Sequence, residues 1–269
     1  MPGPTQITPA QLARLIGLPD APSIIDVRIA DDFAAYPHLI PTSLRHSHKE
    51  IDTLAPSLAG KRVVVACQRG HKLSEGAAAL LRTHGIATES LEGGTEAWVA
   101  AKLPMIPAAS LPATNLWVTR HRPKIDRIAC PWLIRRFIDP SARFLFVSPS
   151  EVADVASRFN ATPFDIEGVF WSHRKDQRGD TCTFDTLIAE CALSTPALDR
   201  LATVVRGADT DRHDLAPQAA GLLAISVGLS RMVRDDLAQL EVGMTVYDAL
   251  YRWARDGFDE GHDWPAARV

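Results

Sequence analysis

The chain has 269 residues, enough for one large domain or two ordinary ones. Hydrophobic residues make up 46% and charged residues 23%, so a full core can form without disulfide or metal staples. With 29 Lys and Arg against 32 Asp and Glu, the formal charge is −3, which argues against a general nucleic-acid binder. The cysteines, Cys67, Cys130, Cys182 and Cys191, form no Cys-x-x-Cys pair and read as reduced cytosolic thiols. Met1-Pro2-Gly3-Pro4-Thr5 lacks a basic segment followed by an apolar core, so no secretory signal is expected. No apolar run approaches the ~20 residues needed to span a bilayer. A cytoplasmic protein without a membrane role is the expectation.

Thr8-Pro9-Ala10-Gln11 is a helix start, with Thr as N-cap, Pro at the first helical place and Gln three residues after the cap. Leu12, Leu15 and Ile16 continue it and Gly17 stops it. A strand over 23–27 follows, then short helices near 31–35 and 48–54. A strand at 62–66, a helix at 73–84, a strand near 87–91 and a helix near 95–101 complete an alternating pattern. That alternation implies α/β architecture, a parallel sheet with helices on both faces.

Residues 104–115 hold three prolines and no charge, and read as an interdomain linker. The expected division is a first domain over 1–105, a linker over 106–115 and a second domain over 116–269. Helices dominate the second, which is expected to be α+β with a small sheet. Pro131 should start a helix running to about Ile138, followed by a strand at Phe144–Val147, a helix from Glu151 to Phe159 and a strand at Val169–His173. Helices are then expected at 185–192, 196–206, 215–230, 232–240 and 245–255, the last opened by a capping box at Thr245. Trp98, Trp117, Trp132, Trp171 and Trp253 sit in apolar runs and are expected in the core.

Cys67 is the residue with the most chemical promise. It ends the apolar run 62–66 and opens the polar turn Gln68-Arg69-Gly70-His71-Lys72 before a helix. At such a turn backbone N–H groups converge, the helix N-terminus adds positive potential, and Arg69, His71 and Lys72 add cations. These surroundings suit a nucleophilic thiolate. A buried cysteine finishing a core strand is the plainer alternative, but a glycine and four polar residues directly after it argue the other way.

Three segments carry a resemblance to the rhodanese family of sulfurtransferases over roughly residues 5–105: Ile24-Ile25-Asp26-Val27-Arg28, Cys67-Gln68-Arg69-Gly70-His71-Lys72, and Leu91-Glu92-Gly93-Gly94-Thr95-Glu96-Ala97-Trp98. The resemblance implies that Cys67 accepts a sulfane sulfur and holds it as a persulfide. It also implies that Arg69, Gly70, His71 and Lys72 surround the substrate, and that Asp26 and Arg28 hold the loop and the sheet edge beside it. A small-molecule sulfur donor and a thiol or cyanide acceptor would be the partners, with no cofactor required. The family's sulfurtransferase loops resemble Cys-x-x-x-x-Arg, and related phosphatases carry one residue more. Here Lys72 takes the place of the Arg, and a lysine is a point charge without the planar fork that grips an oxyanion twice. Thiosulfate is therefore expected to be a poorer donor than another persulfide.

In the second half, Lys124-Ile125-Asp126-Arg127-Ile128-Ala129-Cys130-Pro131-Trp132, Arg206-Gly207-Ala208-Asp209-Thr210 and the run Gly221–Ser230 resemble the C-terminal domain of the chromate-resistance family, over about residues 115–256. The resemblance implies a role in tolerance or sensing of chromate. With a sulfurtransferase-like domain where that family's regulators carry another module, no nucleic-acid role is expected.

From the residues alone, Arg120, His121, Arg122, Lys124, Arg127, Arg135 and Arg136 would either bind a tetrahedral oxyanion or form a solvated, ion-paired face. Asp126, Glu167, His173, Asp209, Asp211 and His213 carry the donor types for a divalent metal, with His173, Glu167 and Asp209 as the leading candidates. No local spacing supports them, and a polar loop is the alternative for Asp209-x-Asp211-x-His213. Asp126, Arg127 and Cys130 form a further candidate set, because a thiol at a helix start would be reactive; burial as a small hydrophobe is the alternative for Cys130. Two rivals to sulfur transfer follow. One is an oxyanion sensor whose rhodanese-like domain is regulatory, and the other is a metal-dependent reductase or hydrolase in the second half.

Overall fold

Strands buried on both faces read as unbroken apolar runs, and the runs at 23–26 and 62–66 become neighbours inside a parallel sheet. In the computed structural model, which describes Gly3, residues 5–177 and residues 179–261, the first half runs β1 (Gln6–Ile7), α1 (Pro9–Leu15), β2 (Ser23–Asp26), α2 (Ala30–Ala35), β3 (His38–Leu39), β4 (Ser43–Arg45), a 3-10 segment His48–Leu54, α3 (Ala55–Leu58), β5 (Arg62–Ala66), α4 (Lys72–Thr83), β6 (Ala87–Leu91) and α5 (Gly94–Ala100). Met1, Pro2 and Pro4 of the N-terminal stretch lie outside the described residues. The sheet order is β1-β6-β5-β2-β4, all parallel, so Cys67 follows the central strand. The capping box forms as expected: Gln11 N–H donates to Thr8 Oγ1 at 3.1 Å, and Thr8 N–H donates to Gln11 Oε1 at 2.9 Å.

The proline-rich stretch is ordered rather than a free tether. Its β7 (Ile106–Pro107) pairs antiparallel with β3, and Met105 and Ile106 are buried. Beyond it come β8 (Leu116–Arg120), α6 (Asp126–Leu133), a π-helical turn Ile134–Ile138, β9 (Arg143–Val147), α7 (Val152–Phe159), β10 (Thr162–Pro163), β11 (Arg174–Asp176), β12 (Gly179–Thr181), α8 (Thr183–Glu190), α9 (Pro196–Asp209), α10 (Ala219–Met232) and α11 (Asp236–Asp256). A three-stranded parallel sheet, β10-β8-β9, and this helical layer make the second half mostly helical α+β. Among the described residues no helix is long and apolar enough to cross a membrane.

Three expected elements change. The helix around Pro131 begins at Asp126, so Pro131 lies inside it. Proline there removes one N–H from the ladder, and the chain continues as the π-helical turn. The expected strand at 169–173 is irregular, with one β-bridge, between Phe164 and Trp171, and a hydrogen bond from Thr186 Oγ1 to Ser172 O at 2.8 Å. Its hydrophobic signal comes from Trp171, which packs on Trp117 instead of filling a strand position. The expected helices at 232–240 and 245–255 are one helix, α11, capped by Asp235, whose Oδ1 accepts from Ala238 N–H at 2.7 Å. Thr245 is interior to it, and Gly243, in the expected gap between the two helices, is where Ile128 of α6 packs close.

The two halves share one contiguous apolar core. It runs from Leu12, Ile24, Leu91 and Trp98 on one face of the larger sheet into Trp117, Trp132, Leu198 and Tyr247. Thr42 N–H donates to Phe137 O at 3.0 Å, and Arg255 donates to Arg14 O at 2.9 Å, stitching the same boundary. The opposite face of the sheet holds a separate cluster with Ile25, Val63, Val65, Cys67 and Leu81.

Candidate functional site

Cys67 sits at the carboxyl end of β5, where open parallel sheets hold their ligands. Its residue is only 5% exposed, but it lines a pocket with Asp32, Gln68, Arg69, His71, Lys72 and Glu96. Cys67 Sγ lies 3.2 Å from Ser74 Oγ, and Ser74 in turn donates to His71 O at 3.1 Å. Ser74 is fully buried in the first turn of α4. Sequence reasoning missed it; its place seven residues after Cys67, one helical turn into the following helix, was the available signal.

The loop is held from outside by the segment 93–96. Thr95 N–H donates to Cys67 O at 2.9 Å and Glu96 N–H donates to Gln68 O at 3.0 Å. Gly93, Gly94 and Gly70 all have positive φ, at 65°, 59° and 72°. Gly70 and Gly94 meet backbone to backbone: a Cβ on Gly70 would lie 2.5 Å from Gly94 N and from Leu91 O. Glu96 also draws the side chains of Gln68 and Arg69 aside, at 3.1 and 3.4 Å. With the loop carbonyls engaged outward, the amides of Gln68, Arg69, Gly70 and His71 find no protein acceptor among the described residues. Lys72 opens α4 and is exposed beside the same pocket.

Asp26 and Arg28 are not among the residues that line this pocket. Both are buried, and Arg28 Nη2 lies 2.6 Å from Asp26 Oδ2. The same guanidinium donates to Tyr36 O at 3.1 Å and His38 O at 2.6 Å. The pair therefore fixes the connection from α2 into β3.

A second cluster forms in the other half. His173 Nε2 lies 3.1 Å from Asp209 Oδ2, 3.3 Å from Asp165 Oδ1 and 3.6 Å from Asp126 Oδ2. Four separate elements supply it: the start of α6, the turn after β10, the segment before β11, and the end of α9. Asp126 Oδ2 accepts from Thr183 N–H at 2.5 Å and Phe184 N–H at 3.4 Å, the first amides of α8. Its Oδ1 is buried and has no partner. Asp165 Oδ1 accepts from Thr183 Oγ1 at 3.0 Å, while Oδ2 faces Arg127 at 3.3 Å and Arg120 at 3.4 Å. Of the expected metal candidates, His173 and Asp209 are here, joined by Asp126. Glu167 instead lines the opening above the cluster, and Asp211 pairs with His213. Asp165 was not foreseen, since nothing local in 164–166 marks it and its partners lie up to 45 residues away in sequence.

Burial pushes the Asp126 carboxyl well above the usual range, reinforced by the charges of Asp209 and Asp165. Hydrogen bonds to Asp165 and then Asp209 push His173 up to about 10 against the opposing effect of burial. Since this folded-state value exceeds the unfolded one of about 6.5, the imidazolium stabilises the fold fully below about pH 6.5. That contribution falls above pH 6.5 and is gone once the pH passes about 10. Urea midpoints of chelator-treated protein should therefore decline from pH 7 to about 10.5, and His173→Ala should flatten the decline. Equal slopes for the two proteins would show that the imidazole does not carry it.

The cations of this half do not converge on one face. Arg135 pairs with Glu241 at 2.6 Å and Arg136 with Asp248 at 2.8 Å, while Arg122 donates to the Ser230 carbonyl at the end of α10. Of the seven cations singled out from the sequence, Arg120 and Arg127 share a partner, Asp165. Cys130 is likewise corrected. It is fully buried inside α6 rather than at a helix start, and burial, then the Asp126 and Asp165 charges, push its thiol well up. Cys182 and Cys191 are also buried, with thiols raised first by desolvation.

Comparison with known proteins follows the same division. The family described as "ChrB, C-terminal domain" matches residues 117–254, just over half of the chain. The family described as "Rhodanese-like domain" matches residues 8–101. Protein ChrB of Cupriavidus metallidurans is 36% identical over 137 residues, covering 50% of this chain and 39% of that protein. The chain thus spans about two fifths of the length of the curated relative it matches. Among solved structures, the thiosulfate sulfurtransferase from Pseudomonas aeruginosa is 28% identical, covering 41% of this chain and 21% of that one, with a TM-score of 0.36. A rhodanese-like domain protein from Staphylococcus aureus is 24% identical over 35% of this chain and 90% of that one, with a TM-score of 0.32.

Proposed function

The chain belongs to the family of the ChrB C-terminal domain and carries a rhodanese-like domain ahead of it, and we propose on that basis a chromate-resistance protein that transfers sulfane sulfur through Cys67. The observation that carries this reading is the Cys67 sulfur in its pocket, at the start of a loop whose four following amides find no protein acceptor among the described residues. Backbone N–H groups left free beside a sulfur can stabilise an anion there without a metal or cofactor.

In the proposed cycle the Cys67 thiolate attacks the outer sulfur of a donor. A new S–S bond forms as the donor's own S–S bond breaks, and its electron pair leaves with sulfite or with a thiolate. The terminal sulfur of the persulfide then rests among the loop amides, beside Ser74 Oγ and Lys72. A thiolate or cyanide attacks that sulfur, the S–S bond breaks, and Cys67 returns as a thiolate. Lys72 supplies charge without a bidentate fork, which favours a persulfide donor over thiosulfate. The free cysteines fit a reducing compartment, the cytoplasm being the one we propose.

Intact mass after incubation with thiosulfate or glutathione persulfide tests the cycle. The native chain should gain about 32 Da, lose it again on addition of cyanide, and show no gain as Cys67→Ser. No gain with either donor would remove the sulfurtransferase reading.

A further inference from the structure

We infer that Asp126, Asp165 and His173 bind one divalent first-row transition metal ion in the second half of the chain, with Asp209, whose Oδ2 lies 3.1 Å from His173 Nε2, closing onto it as a fourth ligand. Donors held about 2.1 Å from a common ion lie roughly 3.0–3.5 Å from one another. The nearest oxygens of Asp165 and Asp126 lie 3.3 and 3.6 Å from His173 Nε2 and these three donors lie within 4.8 Å of one another, while Asp209 Oδ2 stands 3.1 Å from the same nitrogen. An imidazole nitrogen carries at most one hydrogen and serves one acceptor well, so a simple ion-pair network has no need of three carboxylates around one nitrogen. An ion with four or more coordination positions does.

The independent observation is the unpartnered oxygen of Asp126. Its residue is 0% exposed, and Oδ1 has no hydrogen-bond partner although Oδ2 has two amides. An orphaned buried carboxylate oxygen costs free energy that a coordinated cation recovers. The carboxylates are also pre-oriented, as metal-binding carboxylates are: Asp126 by the amides that start α8, Asp165 by Thr183 and by Arg120 and Arg127. One nitrogen with three carboxylates is a hard, oxygen-rich donor set of the kind that takes Mn2+, Fe2+ or Zn2+. The side of the cluster toward Glu167 and Arg120 is open, with the His173 side chain 44% exposed, so a small ligand can reach the ion. This inference does not depend on sulfur transfer at Cys67.

The test uses the untagged full chain, stripped with chelator and dialysed, titrated with Mn2+ by loss of the free-ion EPR signal and with Zn2+ by calorimetry. One ion per chain is expected, bound saturably, with a rise in melting temperature. His173→Ala and Asp209→Asn should weaken binding at least 100-fold. Both side chains reach solvent and neither fills the core, so the variants should keep the native far-UV spectrum. Cys67→Ser should bind as the native chain does. Absence of binding up to millimolar ion would overturn the inference, as would binding that survives His173→Ala or that is lost with Cys67.

Discussion

Gly94→Ala should destabilise the protein by about 4–6 kcal/mol and abolish sulfur loading at Cys67. Gly94 has φ of 59°, where an L side chain is strained. A Cβ there would stand 2.2 Å from Cys67 O, 2.5 Å from Gly70 N and 2.8 Å from Gln68 O. All three are backbone atoms, so no side chain can rotate away and the loop itself must move. Overpacking of this kind costs about 1–3 kcal/mol and left-handed strain adds about 1. Losing the hydrogen bonds from Thr95 and Glu96 to the loop adds about 1 kcal/mol each. Urea denaturation measures the loss, and intact mass with a persulfide donor measures the loading. Gly76→Ala is the matched control, since nothing lies within 4 Å of its Cβ and it sits within α4. That variant should be neutral or slightly more stable. If Gly94→Ala keeps native stability and loads sulfur, the brace between 93–96 and the Cys67 loop has no such role.

Arg28→Met should cost about 3–5 kcal/mol, because it strands the Asp26 carboxylate in the core. The Arg28 side chain is 1% exposed and its guanidinium also serves Tyr36 O and His38 O. The double variant Asp26→Leu/Arg28→Met removes the buried charge as well, and should recover a large part of the loss. The two carbonyls left without a donor keep that recovery incomplete. At a temperature where Arg28→Met is still folded, persulfide formation should proceed as in the native chain, because neither residue of the pair lines the Cys67 pocket. A variant that folds normally but fails to load sulfur would return Arg28 to the substrate site.

Much of the first half was legible because its signals are local. The capping box at Thr8–Gln11, the apolar runs that become β2 and β5, and the turn that carries Cys67 each act within a few residues. Cys67 at the end of a buried strand before a polar, glycine-containing turn reads directly as a candidate nucleophile. In the second half the same reasoning placed the helix start at Pro131, five residues late, since a proline at a first helical position and one tolerated inside a helix look alike in isolation. It also divided α11 between 240 and 245, a gap that includes Gly243, where Ile128 packs close.

By itself, then, the sequence determined the alternating α/β order, the parallel sheet it implies and the place of Cys67 on it, because hydrophobic period, capping and turn chemistry are short-range properties. Only the tertiary structure decided which polar residues act together. Arg28 looks like a neighbour of the active loop yet is spent on Asp26 and two carbonyls. Asp126, Asp165, His173 and Asp209 have no shared spacing, yet α6, the β10 turn and α9 bring their donor atoms together. Carboxylates 39 and 83 residues along the chain from Asp126 meet only because the apolar faces of those elements pack into one core, and the electrostatics of the cluster follow from that packing.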